Sequence, residues 1–222
     1  SYTKVKGLIE MKINLLCSDR NIPKNLFQHH NQEAWAGIDR GALILIQNQI
    51  DPVFSVGDFD SVNNQERQLL ATQLNIHPVK AEKDDTDLGL GVAQAVEEGY
   101  QDIHIYGATG GRLDHFMGVV QILLKSEYIH KGINFKIIDE QNEIILLTSG
   151  MYTISPHTHY QYVSFIPVSG EPVLSLAGFK YNLDKEKLVR GSTLTISNEV
   201  ESPNAKIEIQ NGLVLQIRSK DL

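Results

Sequence analysis

From Met11 to about Asp139 the chain alternates short apolar runs with longer stretches of helical period, and after Asn142 that alternation stops. No other feature narrows the choice of fold as much. Residues 13–17, 52–56, 103–107 and 135–138 are short and almost wholly apolar, as strands buried on both faces should be. Between them, Leu88, Val92 and Val96 recur every four residues through 87–100, with Gly99 as a stop signal near the end. Leu113, Phe116, Met117, Val120 and Leu124 trace a helical stripe through 113–128, which is expected to face the core. Residues 63–74 form a weaker helix, and 41–50 read equally as a buried strand or a buried helix. Such alternation implies a largely parallel sheet with helices on its faces.

The second half has a different texture. β-rich runs at 143–147, 160–166, 193–196, 205–209 and 213–217 lie between turn residues, and Asn211-Gly212 between the last two predicts a hairpin, because both residues tolerate positive φ. The expected architecture is an α/β N-terminal domain with a largely parallel sheet over 11–142, followed by an all-β antiparallel sandwich C-terminal domain over 143–222. A chain of 222 residues suits two such small domains.

Bulk chemistry excludes several classes of function. A formal charge of −7 argues against nucleic acid or an anionic membrane as partner, since each needs a basic face. It leaves nucleotides open, because a metal ion can neutralise phosphate locally. The single Cys17 excludes internal disulfides and an all-cysteine metal site, and fits a reducing, cytoplasmic compartment. No apolar stretch approaches the ~18 to 20 residues of a membrane span. The first ten residues lack the apolar core of a secretory signal, and Met11 reads as a natural start. His157-Thr158-His159 has the look of a metal pair, but with no third ligand nearby it is read as a loop.

Three segments carry possible chemistry. Gly57-Asp58-Phe59-Asp60-Ser61 follows an apolar run; if that run is a parallel strand, Asp58 and Asp60 project at its carboxyl end, where open α/β sheets bind ligands. Carboxylates spaced i, i+2 on a turn can share a hard cation such as Mg²⁺, which prefers oxygen ligands; the alternative is a turn in which an Asp caps the next helix. Lys83-Asp84-Asp85-Thr86-Asp87 opens a helix. Asp and Thr are favoured in a first turn, but three acids in four positions exceed what a cap needs, and Lys83 is placed to neutralise phosphate. Gly107-Ala108-Thr109-Gly110-Gly111-Arg112 then leads from a strand into a helix whose first turn holds Asp114 and His115. A glycine turn at a helix N-terminus offers N–H groups to phosphate, and Arg112 can grip phosphate oxygens as a fork. This is neither a Walker A loop nor a Rossmann fingerprint; Gly89-Leu90-Gly91 imitates the latter but falls inside a helix. Acids and phosphate-binding turns at successive strand ends describe a metal-assisted nucleotide site.

With these motifs in place, the sequence resembles the thiamine pyrophosphokinase family. The resemblance rests on Gly37-Ile38-Asp39-Arg40-Gly41, Gly57-Asp58-Phe59-Asp60-Ser61, the 83–87 segment, the 107–115 segment ending Arg112-Leu113-Asp114-His115, and a late Ser197-Asn198-Glu199. They occur in the family's order and cover nearly everything from Met11 onward. The resemblance implies an ATP-binding N-terminal domain, a thiamine-binding β-sandwich, and a homodimer with active sites between subunits. It implies transfer of the β,γ-pyrophosphoryl group of ATP to the hydroxyl of thiamine, releasing AMP, with Mg²⁺ held by Asp58, Asp60 and an acid of 84–87, Asp87 preferred. Asp39 would lie near the same phosphates and help to activate the attacking hydroxyl. Lys83, Asp84, Thr86, Thr109, Gly110, Gly111, Arg112, Asp114 and His115 would contact ATP, and Ser197, Asn198 and Glu199 would receive thiamine. Many members carry Asp-Gly-Gly in the first motif; here Arg40 either adds a phosphate contact or caps the helix. Trp35 lies in the N-terminal half, so any aromatic stacked on thiamine must be a Tyr or Phe. A nucleotide-sugar transferase would share Asp-x-Asp but leaves the Gly-Gly-Arg-x-Asp-His segment unexplained. A non-catalytic thiamine or nucleotide sensor is the other alternative.

Overall fold

The computed structural model describes residues 2–5, 8–57, 63–73 and 85–222. The chain divides into two compact units, Ser1–Glu140 and Gln141–Leu222.

The first unit runs β1 (Tyr2–Val5), β2 (Leu8–Leu16), α1 (Leu26–His30), β3 (Ala34–Ile38), α2 (Gly41–Gln47), β4 (Phe54–Val56), α3 (Asn64–Gln73), α4 (Asp87–Glu97), β5 (Asp102–Tyr106), α5 (Leu113–Leu123), α6 (Ser126–His130) and β6 (Asn134–Ile138). Five strands pair in parallel in the order β6-β5-β2-β3-β4, and β1 adds antiparallel to β2. The chain builds outward from β2 in one direction through β3 and β4, and later in the other through β5 and β6. The gap between the loops that follow β2 and β5 is therefore a topological switch point. In the register, Leu16 stands opposite Gly37 and Tyr106, and Tyr106 opposite Ile138, so the carboxyl ends of these strands finish level.

Ile13, Leu15, Ile103, Ile105 and Ile137 are at most 1% exposed, which explains the mostly apolar runs in their strands. Leu16, Trp35 and Tyr106 pack with Leu26, Ile44 and Leu45, and the Trp35 indole donates to the His30 carbonyl at 2.9 Å. Trp35 is thus a core residue with its polar atom satisfied. The ambiguous 41–50 run resolves as α2, in which every residue from Gly41 to Ile46 is buried. A helix covered on all sides shows no amphipathic period, so pattern alone could not separate it from a strand. Strand β3 went unforeseen, and the helix expected over 113–128 is two helices, α5 and α6. Its stripe also departs from expectation. Val119, Val120 and Leu123 are buried in α5, whereas Leu113 is 77% and Met117 55% exposed.

The second unit comprises β7 (Asn142–Leu147), β8 (Gly150–Ile154), β9 (Tyr162–Ala177), β10 (Leu183–Lys187) and β11 (Ala205–Ser219), all paired antiparallel. It is an all-β sandwich, with Phe165, Leu174, Leu176, Ile207, Ile209 and Val214 in its core. The hairpin expected at Asn211-Gly212 does not form. Residues 205–219 make one long strand whose pairing with β9 shifts between Gln210 and Gly212. Asn211 adopts φ 63° and Gly212 φ 159°. The positive φ that suits a hairpin turn also suits a bulge, and here it bends β11 so that its first half pairs with β8 and its second with β7. Residues 193–196, read as a strand, form a turn closed by the Ile196 N–H on the Thr193 carbonyl at 3.2 Å.

In the first unit, polar contacts brace both ends of the parallel sheet. At the carboxyl end, the loop after β2 is tied to the turn after β5: the Cys17 N–H donates to the Tyr106 carbonyl at 3.0 Å, and the Ser18 hydroxyl to the Gly107 carbonyl at 2.6 Å. Gly107 sits at φ +73°, and a Cβ there would lie 2.1 Å from the Ser18 carbonyl oxygen. Gly107→Ala therefore combines left-handed strain with a backbone clash. The expected loss is at least about 2 kcal/mol of stability, read from urea unfolding. At the opposite end, Lys12 and His30 both bond the Glu33 carboxylate. Burial works against the Glu33 charge, but the hydrogen bonds from Lys12 and His30 outweigh it and hold the carboxyl below its ordinary 4.5. A depressed carboxylate stabilises the fold above its unfolded value and stops doing so as pH falls through the folded one. Unfolding midpoints should accordingly decline below pH 4.5, and Glu33→Gln should remove part of that decline while lowering stability at neutral pH.

Candidate functional site

A cleft of about 670 Å³ opens at the carboxyl ends of the parallel strands. Cys17 and Arg20 reach it from the loop after β2, Asp39 from the end of β3, and Asp85, Thr86 and Asp87 from the start of α4. Gly107, Ala108, Arg112, Asp114 and His115 enter from the turn into α5. Segments far apart in sequence meet here because the strands end level on either side of the switch point.

Each of these groups is held by local structure. Asp39 adopts φ 53°, uncommon for a non-glycine residue, and its N–H donates to the Val56 carbonyl at 2.6 Å. This turns the chain sharply out of β3 and sets Asp39 beside Gly57, the residue before Asp58. Thr86 is the N-cap of α4: extended backbone, with its hydroxyl oxygen accepting from the Gly89 N–H at 3.0 Å. Asp85 accepts from the Thr86 N–H at 2.9 Å, and Asp87 occupies the first helical turn, where a carboxylate is favoured by the helix dipole. Thr109 faces inward, and its hydroxyl donates to Asp139 at 2.5 Å. Asp139 is 1% exposed, so Thr109 braces the glycine turn from beneath and does not line the cleft.

The arginines differ in what they hold. Arg112 donates through Nε and Nη2 to the two oxygens of Asp114, at 3.1 and 2.6 Å; Arg112 holds the Asp114 carboxyl below its ordinary value. Arg40 reaches Glu66 at 3.3 and 3.1 Å. Glu66 also exchanges hydrogen bonds with Asn63 in a capping box at the start of α3, and it is held below its ordinary value first by the Asn63 N–H and then by Arg40. Arg40 thus fastens α2 to α3. Burial pushes the Cys17 thiol up to about 12, against Arg20 and with Asp39 adding to the rise, so the cleft wall at Cys17 favours the neutral thiol over the thiolate.

Four expected site residues, Asp58, Asp60, Lys83 and Asp84, lie outside the described residues. Of the expected metal ligands only Asp87 is described, and among the described residues no group of three or more His, Cys, Asp or Glu is arranged to hold a metal. Among the donors that do line the cleft, the carboxylates of Asp39, Asp85 and Asp87 are hard oxygens of the type Mg²⁺ prefers. Sequence reasoning passed over Cys17 and Arg20. The available signal was position, since Cys17 closes the first apolar run and Arg20 follows it, at a strand end where such sheets bind ligands.

In the second unit, Ser197 is exposed at φ 61°, and its N–H donates to the Ser164 hydroxyl at 2.9 Å. Asn198 is 4% exposed. Its side-chain oxygen accepts from the N–H groups of Tyr181 and Glu199, at 3.1 and 2.9 Å, and its amide donates to the Tyr181 carbonyl at 2.8 Å. Asn198 therefore builds the turn that presents Ser197 and Glu199. Glu199 accepts from Gln161 and Lys180, each at 3.2 Å, and borders a cavity of about 470 Å³ with Tyr160, Tyr162 and Arg218. The His157 ring nitrogen Nδ1 accepts from the His159 N–H at 3.0 Å; the pair closes a loop.

Comparison with known proteins bears on the whole chain. Residues 26–137 match the thiamin pyrophosphokinase catalytic domain, and residues 151–214 the thiamin pyrophosphokinase vitamin B1 binding domain. Thiamine pyrophosphokinase of Bacillus subtilis is 39% identical over 206 residues, covering 90% of this chain and 95% of that protein. The crystal structure of the Bacillus subtilis enzyme superposes with a TM-score of 0.88 at 38% identity, over 95% of this chain and 100% of the other. That of thiamin pyrophosphokinase from Geobacillus thermodenitrificans gives 0.84 at 36% identity, over 95% and 98%. With the catalytic and vitamin-binding models falling in order on its two units, the chain belongs to the thiamine pyrophosphokinase family.

Proposed function

We propose that this chain makes thiamine diphosphate by moving the terminal pyrophosphoryl group of ATP onto the hydroxyl of thiamine, releasing AMP, with Mg²⁺ required. Family membership carries the assignment to thiamine diphosphate synthesis. The observation that best supports the finer reading is the cleft at the switch point, where carboxylates from β3 and α4 face a glycine turn and an arginine leading into α5.

In this reading the thiamine oxygen attacks the β-phosphorus, the bridge between α- and β-phosphates breaks, and AMP departs carrying the bridging oxygen. Such transfers depend on in-line placement and charge stabilisation more than on covalent catalysis. The turn at Gly107–Gly111 and the first turn of α5 offer N–H groups to phosphate, with Arg112 and His115 beside them. Asp39, fixed in its left-handed turn, orients the attacking hydroxyl and accepts its hydrogen bond. Asp58, Asp60 and Asp87 hold Mg²⁺, which offsets phosphate charge when bound. Ser197 and Glu199 receive thiamine, whose cationic ring suits the Glu199 carboxylate, with Asn198 shaping the turn that carries them. The domains are assigned accordingly, 11–142 to ATP and catalysis and 143–222 to thiamine. The exposed Leu113 and Met117, on the same helix as Asp114 and His115, offer an apolar surface for a homodimer, and a single cysteine suits the cytoplasm. No described helix is long and apolar enough to cross a membrane.

Incubation with ATP, Mg²⁺ and thiamine should yield AMP and thiamine diphosphate in equal amounts, resolved by chromatography. EDTA should abolish turnover, and Asp60→Ala or Asp87→Asn should lower kcat by about a hundredfold or more, the scale of losing one transition-state charge partner. ADP with thiamine monophosphate would reject the assigned transfer, and thiamine binding without turnover would favour a sensor. Sedimentation should give twice the monomer mass, reduced to one by Met117→Glu.

A further inference from the structure

Two arginines expected to meet phosphate, Arg40 and Arg112, already hold carboxylates, Glu66 and Asp114 respectively. A third lines the cleft without one. Arg20 is exposed on the loop after β2, and among the described residues no ion pair joins its guanidinium to a carboxylate. Its backbone, by contrast, is well anchored. The Arg20 N–H donates to the Ser18 hydroxyl at 3.2 Å, and that hydroxyl donates to Gly107. The next residue, Asn21, takes φ 55°, and its carbonyl accepts from the Glu140 N–H at 2.7 Å.

The guanidinium itself rests against the glycine turn. A Cβ on Gly111 would lie 2.8 Å from Arg20 Cζ, and one on Gly110 would lie 3.4 Å from the Asn21 amide. Arg20 and Asn21 therefore lie over the two glycines that precede Arg112, beside the N–H groups that open α5. The remaining charges on the cleft are mostly negative: Asp39, Asp85, Asp87 and Asp114. A polyphosphate entering this cleft meets repulsion from those acids. The loops on either side of the switch point supply the opposing positive charge, and among the described residues Arg112 is paired with a carboxylate whereas Arg20 is not. From this geometry we infer that Arg20 grips the polyphosphate chain of the nucleotide, presenting its planar fork across the Gly110-Gly111 turn. The inference rests on the reading of this cleft as a nucleotide site. It adds a substrate-binding residue that the chain's recognisable motifs do not contain.

The test is calorimetric titration of MgATP and, separately, of AMP into the wild-type protein, Arg20→Ala and Arg20→Lys. Arg20→Ala should weaken MgATP about tenfold or more, the usual scale for losing charge-assisted hydrogen bonds, and leave AMP within about twofold. Arg20→Lys, which keeps the charge but loses the fork, should fall between. Unchanged melting temperatures would show that the loop still folds. In the chromatographic assay of AMP and thiamine diphosphate, the loss should appear in KM for ATP with KM for thiamine unchanged. Wild-type affinity for MgATP in Arg20→Ala would overturn the inference, as would equal loss of ATP and AMP, which would mean that Arg20 only shapes the cleft. A wild-type protein that binds no MgATP would instead overturn the nucleotide reading, and the inference with it.

Discussion

The Ser18 hydroxyl links the two loops on which the cleft depends. It donates to the Gly107 carbonyl and accepts from the Arg20 N–H, so one oxygen fixes the exit from β2 against the exit from β5. Those strands are adjacent in the sheet although almost ninety residues separate their loops. Sheet register brings the strand ends level, but it leaves the direction of each outgoing loop unspecified. The Ser18 bond and the left-handed Gly107 settle it, and the buried Thr109–Asp139 bond supports the same turn from below. Short hydrogen bonds to buried acceptors are costly to break. The geometry of the glycine turn is thus set by the scaffold before any ligand arrives, which is the condition for a site that binds by preorganisation.

How much of this was legible in the sequence depends on what each residue reports. Four of the five parallel strands showed clearly, because burial on both faces leaves a mostly apolar run, whereas β3 passed unread; the change of texture near residue 142 marked the change of architecture. Errors arose where one signal has two structural meanings. Asn211-Gly212 announces positive φ, and both a hairpin and a bulge use it; only pairing with β9 along its whole length decides between them. The 113–128 stripe reports an apolar face, not which way that face points. Leu113 and Met117 are apolar and exposed, so the pattern marks a surface at that end of α5 and a core only from Val119 onward. A run such as 41–46, buried throughout, has no period to read.

For the site, motif reading located elements better than it assigned roles. Of the described candidates, Asp39, Thr86, Asp87, Arg112, Asp114 and His115 do line one cleft. Thr109, Arg40 and Asn198 belong to the same motifs, yet their side chains are spent on Asp139, Glu66 and Tyr181. A motif holds residues that meet a ligand together with residues that hold those in place, and the letters alone do not separate them. Arg20 is the converse case. It sits in no recognisable motif, and only its position at the switch point and its contact with Gly111 mark it.

On the proposed nucleotide reading, the electrostatics of the cleft explain why an arginine outside the motifs would matter. The chain as a whole is negative, and the cleft concentrates acids suited to a divalent cation, so its own phosphate-binding capacity must come from a few local donors. Arg112 would be one, but its guanidinium is already paired with Asp114 by two hydrogen bonds. That pair is largely solvent-exposed and weak in water, so phosphate can displace Asp114. The gain is then only the difference between two anionic partners, and Asp114 is left unpaired beside the incoming charge. Arg20 has no such exchange to make among the described residues. Its backbone is fixed and only its side chain must order, which keeps the entropic cost of gripping phosphate low. On the proposed nucleotide reading the two arginines would divide the work: Arg20 would meet the polyphosphate without giving up a carboxylate among the described residues, and Arg112 would exchange Asp114 for phosphate.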